Sequence, residues 1–345
     1  MPDQHEILDR SPLLDANGRL VQKGYARRPL LDYNPEYVRR HAAPWLNRLR
    51  LKEWDYYGVF IGRRFFSATV SDIGYMGLVF VYWIDLDKKT FIERSVVTPF
   101  GRGCRLPRSS ESGDVLFEKG RLRIAFERSP GLRRIKVNWP GFDGGRTLSA
   151  DLTLHQPDDH EGIVMATPIG DKGFYYNHKL SALPCEGSAV LGGDVCAAGS
   201  DAFGALDWGR GVWDYDTFWN WACGFGRLPD GRYLGINLGL GFGDLSAATE
   251  NSFFLDGRLQ KLGRVGFQYS KANFLAPWRF ADDAGRLDLT LTPLLDRAAK
   301  TNLILLKSEA HQIFGTYSGR LVSDAGEIIR IDAVPGWAEE HHARW

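Results

Sequence analysis

Cysteine, excess charge and long apolar runs are all scarce in this sequence. Its 345 residues include only four cysteines, none of them in a Cys-x-x-Cys pair, so we expect neither a zinc site nor a disulfide framework. With 43 basic and 42 acidic residues the net charge is +1, which gives no field to attract nucleic acid. No apolar run is long enough to span a membrane, and no basic N-terminal stretch precedes an apolar one. We therefore expect a cytoplasmic protein without a membrane span, a nucleic-acid partner, a metal ion or a cofactor.

What the sequence does contain is a long series of short alternating apolar runs, beginning near Trp54. Turn residues bound each run, and Asp256-Gly257 suits the tight type I′ turn of a hairpin. This pattern predicts an all-β fold of antiparallel barrels. The chain also exceeds the usual size of a single core. We expect a lead-in over residues 1–54 with one short helix near 36–47, a first β barrel over 55–165 and a second over 166–345, packed together.

Residues 207–221, Asp-Trp-Gly-Arg-Gly-Val-Trp-Asp-Tyr-Asp-Thr-Phe-Trp-Asn-Trp, are the most distinctive segment. Four of the eleven tryptophans lie here with three aspartates and an arginine, a mixture more typical of a site than of a core. The glycines suggest a strand end, with Asp207 and Arg210 at a rim. Strand alternation places Trp219 and Trp221 on one face, which we expect to line a cavity in the second barrel. The candidate ligand contacts are Trp208, Arg210, Trp213, Tyr215, Trp219, Trp221, Tyr176 and His178.

Several ordered motifs resemble those of a bacterial family, domain of unknown function 2804, over nearly the whole chain. They are Trp54-Asp55-Tyr56-Tyr57-Gly58, residues 207–213, Trp219-Asn220-Trp221, Gly241-Phe242-Gly243-Asp244, Thr249-Glu250-Asn251, His311-Gln312-Ile313-Phe314-Gly315 and the closing Trp345. That family is distantly similar to lipocalin-like double-barrel proteins, which include carotenoid 1,2-hydratase, tocopherol cyclase and AttH-type proteins. The resemblance implies two calycin-like β barrels and a cavity, and it brings no assigned activity.

Asp207, Glu250 and His311 are the candidate catalytic residues. An acid walled by indoles has its charged form disfavoured, and it can protonate an alkene whose cation the aromatic faces stabilise. Asp207 fits this description, unless it is a structural partner of Arg210. Glu250 precedes an apolar strand, so it either faces the cavity from a barrel mouth or is a solvated loop acid. An inward-facing His311 is either a base or a hydrogen-bonded core imidazole.

Three hypotheses about function follow. The leading one is a lipocalin-like enzyme that hydrates, cyclises or isomerises a largely apolar small molecule by acid–base chemistry. The second is a carbohydrate-active enzyme of the glycosidase type, with tryptophan platforms and two carboxylates. The third is a carrier of a lipophilic ligand, which predicts a cavity without converging ionisable groups. The candidate carboxylates for the second are Asp207, Asp214, Asp216, Asp244, Glu250, Glu339 and Glu340.

Overall fold

The computed structural model describes residues 4–303 and 306–344, so the closing Trp345 of the family-like pattern lies outside the described residues. The lead-in is mostly irregular. Its short strands are β1 (Ser11–Pro12), β2 (Gly24–Ala26) and β3 (Leu31–Asp32). The expected short helix is divided into a 3-10 turn, Pro35–Tyr37, and a helix α1, Pro44–Arg50. A proline stands in the first turn of each, where its missing N–H removes no helical hydrogen bond.

The first large sheet contains 13 strands within the described residues, and neighbouring strands run antiparallel. Besides β2, its members are β4 (Lys52–Ile61), β5 (Arg64–Asp72), β6 (Met76–Asp85), β7 (Thr90–Pro99), β8 (Val115–Lys119), β9 (Leu122–Ser129), β10 (Leu132–Asp143), β11 (Arg146–His155), β12 (Ile163–Ile169), β13 (Gly173–Leu191), β14 (Asp194–Ala197) and β15 (Phe203–Val212). Across the sheet, ten of these strands are hydrogen-bonded to their neighbours in the order β7-β6-β5-β4-β15-β13-β11-β10-β9-β8.

The second sheet has nine strands in the part of the chain that is described, ordered β19-β18-β17-β16-β24-β23-β22-β21-β20. Their bounds are β16 (Asp216–Arg227), β17 (Tyr233–Leu240), β18 (Ser252–Leu255), β19 (Arg258–Lys261), β20 (Val265–Gln268), β21 (Trp278–Asp282), β22 (Leu287–Leu303), β23 (Leu306–Val322) and β24 (Ile328–Arg344). The hairpin predicted at Asp256-Gly257 joins β18 to β19. Both turn residues have positive φ, 47° and 75°, as a type I′ turn requires.

The two sheets divide after residue 212 rather than near residue 165, where the second barrel was expected to begin. The reason is β13, which is 19 residues long and pairs with β11, β12, β14 and β15. Those pairings hold residues 163–212 in the first sheet. The tryptophan-rich segment therefore crosses from the last strand of the first sheet to the first strand of the second.

Strand alternation gives each sheet two different faces. On β4, Tyr57 and Val59 belong to the core of the first sheet, whereas Tyr56 and Phe60 belong to a cluster between the sheets. On β24, Trp337 contributes to that same cluster while its neighbour Ala338 packs in the core of the second sheet. The predicted all-β fold of two packed, curled antiparallel sheets is confirmed.

Candidate functional site

A cavity of about 320 Å³ lies between the two sheets, continuous with the aromatic cluster that joins them. It is not inside the second barrel, where the sequence placed it, because the strand faces that line it are those turned toward the other sheet. Its volume falls in the range that accepts a small molecule. Nine of its lining side chains are aromatic: Trp54, Tyr56, Phe80, Tyr82, Tyr175, Trp213, Trp219, Trp221 and Phe242.

A buried ion pair forms one polar part of this cavity. Lys179 of β13 lies directly opposite Asp207 of β15, and its Nζ is 2.7 Å from Oδ1 of the aspartate. The same Nζ sits 4.3 Å from the ring centre of Trp221, on the opposing sheet. Burial alone would lower the pKa of Lys179, but Asp207, Tyr175 and Glu250 together outweigh burial and raise the pKa, so the ammonium stays charged.

Glu250 adds a second carboxyl group to the same part of the cavity. It precedes β18, and Asn237 of β17 donates to its Oε2 at 3.2 Å and to its carbonyl oxygen at 3.0 Å. Burial raises the pKa of Glu250, and this effect exceeds the opposing influence of Lys179 and Asn237. Gly239 leaves the space that the carboxylate occupies, since an added Cβ would lie 2.1 Å from Oε1. Glu250 is thus held as an acid that gains a proton more readily than usual.

A second set of polar groups comes from β23 and β24. Oε1 of Glu339 accepts a hydrogen bond from Nε1 of Trp219 at 3.1 Å, and His341 Nδ1 lies 3.3 Å from the same oxygen. Gln312 donates more weakly to Oε2, at 3.4 Å. Burial pushes the pKa of Glu339 upward, but His341, Arg297 and Trp219 together outweigh burial and lower it. Glu339 is therefore held ionised, in contrast to Glu250.

An ion pair across the two sheets closes this wall. Arg297 of β22 contacts Glu93 of β7, with Nε 3.0 Å from Oε2, and donates from Nη1 to Oε1 of Gln312 at 3.1 Å. Its guanidinium lies 3.9 Å from the ring centre of Tyr82, whose hydroxyl is 2.8 Å from that of Tyr56. Because groups from both sheets share these contacts, the position of this wall depends on how the sheets pack.

The structure brings together some of the residues predicted from sequence and separates others. Those that line the cavity are Asp207, Glu250, Glu339, Trp213, Trp219 and Trp221. The side chains of Trp208, Arg210, Tyr176 and His178 point to the interior of the first sheet, because they alternate with cavity-facing neighbours on β13 and β15. Tyr215 lies in the segment that connects β15 to β16, is 46% exposed and does not line the cavity.

The expected pairing of Asp207 with Arg210 is wrong. Arg210 donates to Oδ1 of Asp55 at 2.9 Å in the interior of the first sheet, and its guanidinium lies 4.1 Å from the ring centre of Trp208. The expected strand end at the glycines is wrong too, since β15 continues to Val212. Gly209 instead makes room for an indole: an added Cβ would lie 2.2 Å from a ring atom of Trp54.

His311 lies on the face of β23 opposite to the cavity-lining Gln312, so it is not part of this site. Its Nδ1 is 2.8 Å from Oδ2 of Asp296, and its ring stacks on Phe274 at 4.0 Å between centres. His311 and Gln312 differ in this way because successive side chains along a strand point to opposite faces of the sheet. Other candidate carboxylates also lie off the cavity lining: Asp214, Asp216, Asp244 and Glu340.

The face of β13 that meets the cavity is the opposite of the one predicted. Tyr176 and His178 were selected, whereas Tyr175, Asn177 and Lys179 face the cavity. The alternation was visible, but which face meets the second sheet depends on contacts between residues far apart in the chain. His341 was missed as a cavity residue for the same reason.

Two curled antiparallel sheets pack around a shared cavity, a fold similar to that of lipocalin-like double-barrel proteins. The chain belongs to the family described as Domain of unknown function (DUF2804), whose model matches residues 4–345.

Solved structures with a similar fold include an AttH-type protein from Nitrosomonas europaea. It shares 15% identity, covers 84% of this chain and 92% of its own, and superposes with a TM-score of 0.52. Kievitone hydratase from Nectria haematococca shares 12% identity, with coverage of 85% and 88% and a TM-score of 0.47. At these identities the likeness concerns the fold alone. No curated protein matches the sequence.

Among the described helices, none combines the length and apolar character needed to cross a membrane. Within residues 4–303 and 306–344, no three histidine, cysteine or acidic side chains converge in a way that would hold a metal ion.

Proposed function

We propose that this protein is an enzyme that moves a proton to or from a largely apolar, unsaturated small molecule, in a hydration, cyclisation or isomerisation reaction. The observation that carries the proposal is Glu250, a carboxyl group with a raised pKa beside the Lys179–Asp207 pair in an aromatic cavity. General acids at neutral pH need such a raised pKa, and burial is the usual means of producing it.

The cavity walls favour a flat or polyunsaturated substrate. Indole and phenol rings provide large apolar surfaces that stack on conjugated systems. The indoles of Trp54 and Trp213 meet edge to face at 5.6 Å between centres, and Phe242 packs on Trp213 at 5.3 Å. These mutual contacts hold the rings in place, so a ligand meets a preformed wall. A molecule with few polar groups would lose little hydration on entering.

The charge of Lys179 favours one type of acid–base chemistry over another. A carbocation formed in contact with the ammonium would be repelled by it, although Asp207 offsets part of this repulsion. An enolate would instead be stabilised, because the ammonium carries N–H donors beyond its contact with Asp207. We therefore assign Lys179 to a substrate carbonyl oxygen, Asp207 to holding Lys179, and Glu250 to proton transfer at the adjacent carbon.

Native mass spectrometry of the protein purified from its own host tests the substrate class. We expect a co-purified molecule that is largely apolar and carries a carbonyl group conjugated to a double bond. Incubation of that molecule with the protein in D2O should then introduce deuterium next to the carbonyl. Glu250→Gln should slow this exchange by about 10²–10⁴-fold, the usual contribution of a general acid or base.

Glu340→Gln is the matched control, because Glu340 contacts Tyr269 and Lys271 and does not line the cavity. Its exchange rate should equal that of the wild-type protein. Equal exchange rates in the Glu250→Gln and wild-type proteins would contradict the proposal.

A carbohydrate-active enzyme is the second candidate, favoured by the presence of both Asp207 and Glu250 in one cavity with indole walls. A co-purified sugar, with hydrolysis lost in Glu250→Gln, would establish it. A simple carrier fits less well, because the ionisable groups Lys179, Asp207 and Glu250 converge. A location in the cytoplasm remains a prediction.

A further inference from the structure

A serine, a histidine and a glutamate on β23 and β24 lie in line within the cavity, apart from the residues assigned to proton transfer. Oγ of Ser308, on β23, lies 2.8 Å from Nε2 of His341 on β24. Nδ1 of the same imidazole lies 3.3 Å from Oε1 of Glu339, two residues earlier on the strand. All three side chains line the cavity. The hydroxyl and the carboxylate thus contact opposite nitrogens of one ring, as in the triads of serine hydrolases.

The surroundings fix the histidine in the orientation that such a triad requires. The lowered pKa of Glu339 keeps this carboxylate ionised, so it can only accept a hydrogen bond. In the neutral imidazole the proton must then lie on Nδ1, which leaves the lone pair of Nε2 directed at the Ser308 hydroxyl. Trp219 donates to Glu339 and also packs on the imidazole, with 4.1 Å between ring centres. Neither ring nor carboxylate is free to turn.

Small neighbours leave room for a reacting group beside the serine. Ala310 lies directly opposite His341 on the adjacent strand, and Ala299 lies opposite Ala310 on the next strand. Both alanines line the cavity. Small side chains therefore line the part of the cavity next to His341, where the acyl group of an ester would lie.

From this geometry we propose that Ser308 is the nucleophile of a second activity, the hydrolysis of hydrophobic esters, with His341 as the base and Glu339 as a positioning residue. This activity goes beyond the proton transfer proposed for Glu250 and uses different residues.

The proposed hydrolysis passes through an acyl-serine intermediate. Ser308 Oγ bonds to the ester carbonyl carbon while its proton passes to Nε2 of His341, and the carbonyl π electrons move to the oxygen. The adduct collapses, the bond to the alcohol oxygen breaks, and the leaving alkoxide takes the proton from His341. Water then attacks the acyl-serine, giving its proton to His341 in turn. The carboxylic acid leaves and the serine recovers its proton.

A fluorophosphonate probe tests the nucleophile directly, because it forms a stable bond only with an activated serine. We expect one adduct per chain, located at Ser308 by peptide mass spectrometry, and hydrolysis of p-nitrophenyl butyrate. Ser308→Ala should remove the adduct and lower the hydrolysis rate at least about 100-fold. Ser318→Ala is the matched control, since Ser318 lies on the same strand, does not line the cavity and accepts a hydrogen bond from the Ala333 amide.

Glu339 is tested with conservative variants. Glu339→Gln should slow labelling about 10-fold or more, and Glu339→Asp should restore part of the rate, with thermal unfolding measured for both. Labelling of folded wild-type protein at a residue other than Ser308, or no labelling at all, would overturn the proposal. The adduct is read on the protein and deuterium exchange on the small molecule, so failure of this inference and failure of the proposed function are separable.

Discussion

At the scale of single residues, neighbours in the sequence have opposite environments. Asp207 faces the cavity and pairs with Lys179, whereas Trp208 is 1% exposed in the interior of the first sheet. The same contrast separates Gln312 from His311 on β23. The type of a side chain therefore says little about its role until it is known which face of the strand it lies on. For a buried ionisable residue, the surroundings also shift its pKa.

His160 provides a prediction about pH. Burial lowers its pKa from 6.5 to about 4, and it packs against Gly257 in the β18–β19 turn. Below pH 6.5 the unfolded chain binds a proton that the folded chain does not bind until about pH 4, so stability falls as the pH is lowered through this window. Because of this group, the free energy of unfolding should be about 2 kcal/mol lower at pH 5 than at pH 7.

Urea unfolding at the two pH values measures this cost. In His160→Gln the loss of stability between pH 7 and pH 5 should be smaller by that amount, whereas the exposed His41→Gln should behave as wild type. An unchanged pH dependence in His160→Gln would show that His160 does not titrate in this way.

At the scale of elements, the cross-strand pair between β13 and β15 combines stability with site geometry. Lys179 and Asp207 face each other in register, and their side chains are 5% and 12% exposed. Removing one charge from such a pair leaves the other in a medium that solvates it poorly. Each of these buried charges would destabilise the fold if it were alone, and each is compensated by the other across the β13–β15 pair.

Asp207→Asn should therefore lower the free energy of unfolding by about 3 kcal/mol, as for other half-removed buried ion pairs. The double variant Lys179→Met with Asp207→Leu should recover much of that loss. The exposed pair Arg123–Glu118 is the control, and Glu118→Gln should cost less than about 1 kcal/mol. Denaturant unfolding at fixed pH measures all three. A loss in Asp207→Asn no larger than that in Glu118→Gln would contradict the role given to the pair.

At the scale of the whole molecule, the aromatic cluster between the sheets holds the cavity walls in position. Trp337 of β24 is fully buried there, and its ring meets those of Phe65 and Trp221 at 5.1 Å and 5.4 Å between centres. Since Phe65 belongs to the first sheet and Trp337 to the second, this contact couples their folding. The cavity then persists only while both sheets are packed.

Trp337→Ala should lower the free energy of unfolding by about 3–5 kcal/mol, through lost packing and the cavity left behind. It should also separate the unfolding of the two sheets into distinct transitions in calorimetry. Trp45→Ala is the matched control, because Trp45 is 65% exposed, and it should change stability by less than about 0.5 kcal/mol. A single unshifted transition in Trp337→Ala would show that the sheets do not rely on this contact.

Much of the architecture could be predicted from local patterns. Alternation of apolar residues indicated the strands, and Asp256-Gly257 indicated its hairpin, because both depend on neighbours in the chain. The division between the sheets could not be placed, since the length and pairing of β13 are set by partners on four other strands. For the site, Trp219 and Trp221 share a face that lines a cavity, as predicted, but this cavity lies between the two sheets and not inside the second barrel.

By itself, the sequence determined the all-β class, the family and the presence of indoles beside carboxylates, since these follow from composition, periodicity and ordered motifs. The tertiary structure alone decided that Asp207 meets Lys179, that Glu250 shares its cavity and that Ser308 aligns with His341. The physical reason is the period of two in a strand: a local pattern shows that two faces exist, and only the packing of the sheets shows what each face meets.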